Sequence, residues 1–145
     1  MKKLALALSV VFSLFILLAV SSAHAQSVDR VTANIPFDFI AGNKTLPSGE
    51  YTFSRGLPND PDLLLIRSAD SHVALFLNVM EHQARQTPTE TDLVFNKIGD
   101  EYFLSRLWIA GEDTGREVPK SRTERALERS ESEGAVSVVT VPSGW

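Results

Sequence analysis

The chain opens on an apolar run, Leu4 to Val20, interrupted only by Ser9 and Ser13. From Val31 onward the pattern becomes alternating. Val31, Ala33, Ile35, Phe37 and Phe39 fall on one side, with Thr32, Asn34, Pro36 and Asp38 on the other. A period of two predicts a half-buried strand. Pro36 has no N–H to give to a ladder, so this strand lies at an edge or bends there. Gly42-Asn43 and Pro47-Ser48-Gly49 are turn sequences, after which Tyr51 and Phe53 resume the alternation. Arg55 to Asp62 reads as a Gly/Pro/Asn/Asp loop. Leu63 to Ile66 is a short continuous apolar run and predicts a strand buried on both faces. Val73, Leu75, Leu77 and Val79 then alternate against His72, Ala74, Phe76, Asn78 and Met80.

Glu81 to Thr91 is polar, contains Pro88 and predicts a loop. Leu93 to Ile98 and Glu101 to Ile109 flank Gly99-Asp100, a two-residue hairpin signal that sets Phe95 opposite Leu104. That register puts Leu93, Phe95, Tyr102, Leu104 and Trp108 on one face. Val94, Ile98, Phe103, Leu107 and Ile109 take the other. A hairpin apolar on both faces sits centrally or has its second face covered. Gly111 to Gly115 is a further turn. Lys120 to Glu133 is helical, and Ser121-Arg122-Thr123-Glu124 matches a capping box. Its apolar content is only Ala126 and Leu127, which predicts a solvated helix leaning on the sheet through Leu127 and stopped by Gly134. Ala135 to Val141 is β-branched and reads as a last strand. Seven or eight short strands and one late polar helix predict an all-β domain, an antiparallel sandwich or a small barrel.

The opening run has the form of an export signal. Lys2 and Lys3 precede it, and Ala23-His24-Ala25 offers the small-x-small ending that signal peptidase accepts. Residues 1–25 are thus expected to be removed, leaving 26–145 as a single β-rich domain, periplasmic or extracellular, with no membrane span. A permanent anchor prefers about 20 apolar residues, longer than this run.

Charge narrows the partners. Lys2 and Lys3 leave with the signal, so the 14 basic residues become 12 against 18 acidic, a formal charge of −6. That balance disfavours nucleic acid and anionic lipid, both of which call for basic footprints. The chain has no Cys. An exported protein has access to disulfides; this one holds together by burial and has no thiol chemistry.

The segments Ile35-Pro36-Phe37-Asp38-Phe39 and Gly42-Asn43-Lys44-Thr45-Leu46-Pro47-Ser48-Gly49-Glu50-Tyr51 resemble a group of small exported bacterial β-rich proteins. So do Leu65-Ile66-Arg67-Ser68, Leu93-Val94-Phe95-Asn96, Tyr102-Phe103-Leu104-Ser105 and Pro119-Lys120-Ser121-Arg122. The likeness covers most of the chain after the signal and carries over no activity and no site. Leu46-Pro47-x-Gly49-x-Tyr51 alone is also similar to turns in transthyretin-like and other secreted β-sandwich modules, where it is a strand-entry device.

Candidate chemistry is sparse. His72 with Asp70 and His82 with Glu81 fall short of the three or four convergent ligands a metal needs. Ser71 and Ser105 lie in turn and strand without a Gly-x-Ser-x-Gly elbow. Asp60/Asp62, Asp100/Glu101 and Glu112/Asp113 are carboxylate pairs in turns, and Asn59 with Asp60 and Asp62 departs from the EF-hand spacing. The densest basic cluster is Arg116, Lys120, Arg122 and Arg125, interleaved with Glu117, Glu124 and Glu128. It suits an acidic or phosphorylated partner, or a salt-bridged solvated face. No catalytic residue, metal site or cofactor is assigned. The expected function is a monomeric, non-catalytic interaction or structural module, with an unknown protein or small molecule as partner. The alternatives are a carrier holding a small apolar ligand in a barrel cavity, and a hydrolase.

Overall fold

The structure, a computed structural model, describes residues 30–70, 72–131 and 136–144. Residues 1–25, expected to be an export signal, Ser71, Gly134 and Trp145 lie outside them. Among the described residues eleven strand segments form two sheets that face each other as a sandwich, with no closed barrel. The first sheet, A, is antiparallel: β1 (Arg30–Ile35), β4 (Gly49–Leu57), β5 (Asp60–Ser68) and β6 (Ala74–Asn78), in that order. Val31, Phe53, Ile66 and Leu75 line up across all four strands and face inward, while Thr32, Thr52, Arg67 and Ala74 line up outward. The alternation in the sequence is therefore the sandwich's inside and outside.

The second sheet, B, runs β11 (Val136–Pro142), β8 (Asp92–Ile98), β9 (Glu101–Trp108), β10 (Thr114–Glu117) and β7 (Met80–Gln83). The short hairpin β2 (Phe39–Ala41) and β3 (Lys44–Leu46) joins it through a parallel pairing of Ile40 with Phe103. The expected long strand from Val31 to Phe39 is in fact two. The chain leaves sheet A at Pro36 and enters sheet B at Phe39, as a residue without a ladder donor allows. Gly42 and Gly99 occupy the first central position of two-residue hairpin loops, with φ of 62° and 59°.

Three further segments differ from expectation. Residues 55–62 are not a loop, since Leu57 pairs with Asp60 around Pro58-Asn59. β7 forms although all four of its residues are exposed, because β10 supplies a ladder partner where no apolar pattern marks a strand. The β8–β9 hairpin does pair Phe95 with Leu104, but its register shifts by one residue at Ser105. Beyond that bulge Leu107 faces Leu93 in the core, Ile109 packs against the core, and Trp108 turns to the opposite face. The expected sides of these three residues are thus reversed.

Phe39, Tyr51, Phe53, Phe95 and Leu93 are essentially inaccessible to solvent, and with Ile35, Leu46, Leu64 and Ile66 they fill the space between the sheets. The second face of β8 is covered by helix α1 (Arg122–Ser130), which Ser121 caps by accepting from the Glu124 N–H at 3.1 Å. Among the described residues no helix is long and apolar enough to cross a membrane.

Candidate functional site

The four basic residues do not share one surface. Arg116 pairs with Leu107 across β9, so its side chain starts from the core-facing side of β10. α1 lies on the other side of the sheet, where Asn96 donates to Glu124. Lys120 is ion-paired with Glu128, and Arg122 and Arg125 are exposed on α1. Exposed pairs of this kind contribute about 0–1 kcal/mol. Replacing Arg122 and Arg125 together with Ala is therefore expected to change the urea-unfolding free energy by less than about 1 kcal/mol.

Glu124 is the contact that ties α1 to the sheet. It is 4% exposed, and its Oε1 accepts from Asn96 Nδ2 at 2.9 Å. The capping box is half-made, because the carboxylate turns to the sheet rather than back to the Ser121 N–H. Burial pushes the Glu124 carboxyl above its ordinary 4.5, against the lowering effects of Asn96 and Lys120. A raised acid binds protons more tightly folded than unfolded. Its stabilising effect is complete below pH 4.5 and is lost as pH rises through the folded value. Glu124→Gln, which keeps the acceptor and removes the charge, is expected to melt higher than the parent at pH 7. The gap should close as pH falls below 4.5, which paired thermal melts would read.

A polar–aromatic shelf stands beyond the helix on the same outer face of sheet B. The Ser105 bulge delivers Trp108 to it. The indole lies against the backbone of Gly115, where a Cβ would stand 2.3 Å from Cε3. His82, paired with Gly115 across β7 and β10, meets the Trp108 ring edge-to-face at 5.8 Å. His82 Nδ1 is 2.8 Å from Glu117 Oε2, and Arg106 Nε is 3.9 Å from the same oxygen. Met80, opposite Glu117, is 54% exposed. The carboxylate lies within hydrogen-bonding distance of Nδ1, which leaves the other imidazole nitrogen for a partner or water. The pair supplies a base and its orienting group; no hydroxyl among the described residues hydrogen-bonds His82. Sequence reasoning missed this shelf because β7 carries no strand pattern and because the bulge moved Trp108.

Elsewhere the motif around Leu46 to Tyr51 is structural. The buried Tyr51 hydroxyl donates to the Pro47 carbonyl at 2.6 Å, and the Ser48 N–H donates to Asp38 Oδ1 at 2.8 Å. Burial pushes the Tyr51 phenol up. A groove of 810 Å³ opens at the corner where β1 and β11 part, lined by Val31, Ile109, Ala110 and Pro142 among others. No cluster of three or more His, Asp or Glu that could hold a metal ion occurs among the described residues. No family model, curated protein or solved structure matches this chain.

Proposed function

We propose that the chain is an exported, non-catalytic interaction module of the periplasm or cell exterior, which meets a protein partner on the outer face of sheet B. The observation that carries this reading is the shelf of Trp108, His82, Arg106, Glu117 and Met80. Trp, Arg and Met are enriched in protein interfaces, and anchors there are rigid aromatics held in place before binding. Trp108 seated on Gly115 meets that description.

A photo-crosslinking residue in place of Met80, introduced in the native envelope, tests the surface. It should give one discrete protein adduct that is lost on Trp108→Ala. The same probe at exposed Lys44, on the β2–β3 hairpin, should give none. Equal labelling at both positions would overturn the reading. Export rests on Lys2, Lys3, the apolar run and Ala23-His24-Ala25. The intact mass of the mature protein should equal that of residues 26–145, and a mass retaining 1–25 would refute cleavage.

A carrier role is the second reading. The corner groove favours it in place of the expected barrel cavity. A solvatochromic apolar dye should then brighten with the parent chain and not with Ile109→Asp.

A further inference from the structure

We infer that β11 is a self-pairing edge, and that two copies of this chain join antiparallel along it with the two-fold axis at Val138. The inference uses a different surface from the shelf and is independent of it. It replaces the monomer expected from sequence.

The ladder shows which backbone groups are open. Ser143 N–H donates to Thr91 O at 2.9 Å, and the 136–142 register against β8 is unbroken. Hydrogen-bonded pairs alternate along an antiparallel ladder. Ser137, Val139 and Val141 therefore bond to β8, in step with Ser143 and Thr91 just beyond its start. Val136, Val138 and Thr140 turn their N–H and C=O groups away from it. Gly144 has the same parity, and it does meet an outside strand, pairing with Thr32 of β1. Pro142 has no N–H with which to continue that pairing. β1 then turns off at Pro36, leaving a groove of 430 Å³ between Asn34, Pro36, Phe37 and residues 139–144. No strand among the described residues covers Val136, Val138 or Thr140 on the outer edge.

The other sheet edges are blunted. β1 ends at Ile35, just before Pro36, β3 is three residues long and begins at Lys44, β7 is four residues long and carries Glu81 and His82, and β6 is five residues long and ends at Asn78. Short edges, charges and prolines are the usual protection against edge-to-edge association. β11 runs from Val136 to Val141 without a charge or a proline, and Val136 and Val138 are 43% and 66% exposed.

Two features select a second copy as the occupant. The open residues 136, 138 and 140 are symmetric about Val138. With Val138 opposite Val138, Val136 of each copy faces Thr140 of the other. Every open N–H and C=O of the three residues is then answered reciprocally. The second feature is charge. The chain is net acidic, yet residues 136–142 carry no charge, so two copies meet here without like charges in register.

Val138→Cys tests the register, since the natural chain has no thiol. Directly opposed residues in such a pair have Cα atoms about 5.5 Å apart, within disulfide reach. Mild oxidation should give a disulfide-linked homodimer several-fold faster than with Phe76→Cys, a control position on the β6 edge that is 53% exposed. Sedimentation of the parent chain should show a mass that climbs toward the dimer with concentration. Val138→Pro should abolish that climb, because the lost N–H is one that does not serve β8. Circular dichroism would confirm its fold, and Val138→Lys, which sets two cations face to face, is the second disrupting variant. A parent chain that stays monomeric at all concentrations would overturn the inference. So would a Val138→Cys variant that links no faster than the Phe76→Cys control, or that links to a different protein.

Discussion

Phe95→Ala is expected to remove about 3–5 kcal/mol of folding stability, read as a drop in the urea midpoint at unchanged slope. Phe95 is the central link of an aromatic chain that crosses the sandwich. Its ring meets Phe37 edge-on at 5.2 Å and Phe39 at 5.5 Å. Phe39 in turn meets Tyr51 of sheet A at 5.1 Å, and Phe37 stacks on Tyr102 at 4.0 Å. Truncation loses the ring's burial and leaves a cavity beside the rings of Phe37 and Phe39, which β-sheet backbone on both sides prevents from collapsing. Without disulfides, nothing covalent compensates. A loss below about 1 kcal/mol would place Phe95 outside the core.

The same residue shows what the sequence discloses and where it stops. Phe95 opposite Leu104 was readable from Gly99-Asp100, because a two-residue turn fixes the register next to it. Inside and outside were readable wherever alternation is continuous, as at Val31, Ala33 and Ile35 and at Tyr51 and Phe53. The bulge at Ser105 was not readable. One extra residue leaves no mark in composition, yet it reverses every side chain after it, including Trp108. β7 was hidden for a different reason. Its ladder depends on β10, a partner distant in sequence, and no burial accompanies it. Glu124 was visible as a capping residue, but its burial against Asn96 depends on where α1 lands, which local pattern does not encode. The basic cluster was contiguous only in sequence, since strand parity sends Arg116 to the face opposite α1. The shelf joins both kinds of hidden information, which is why none of its members stood out as a site.

Gly115→Ala is expected to dismantle that shelf and to destabilise the fold by about 1–3 kcal/mol, the range for forcing an extra carbon into a packed contact. The new Cβ would stand 2.3 Å from Trp108 Cε3 and 2.5 Å from Cζ3, so the ring must leave its seat. Backbone conformation is not the obstacle, because Gly115 lies in β10 at a φ that any residue adopts. The glycine serves close approach alone. An indole moved toward solvent emits at longer wavelength, and the chain has only two tryptophans. In a Trp145→Phe background the emission therefore reports Trp108 by itself. The expected result is a red shift in Gly115→Ala that matches a destabilisation seen in urea, with the far-ultraviolet spectrum of the sandwich retained. His82 would lose its aromatic neighbour while keeping Glu117, so the Met80 crosslink should weaken along with the shift. An unshifted spectrum and unchanged stability would mean that Trp108 does not rest on Gly115. The interface reading would then lose its rigid anchor.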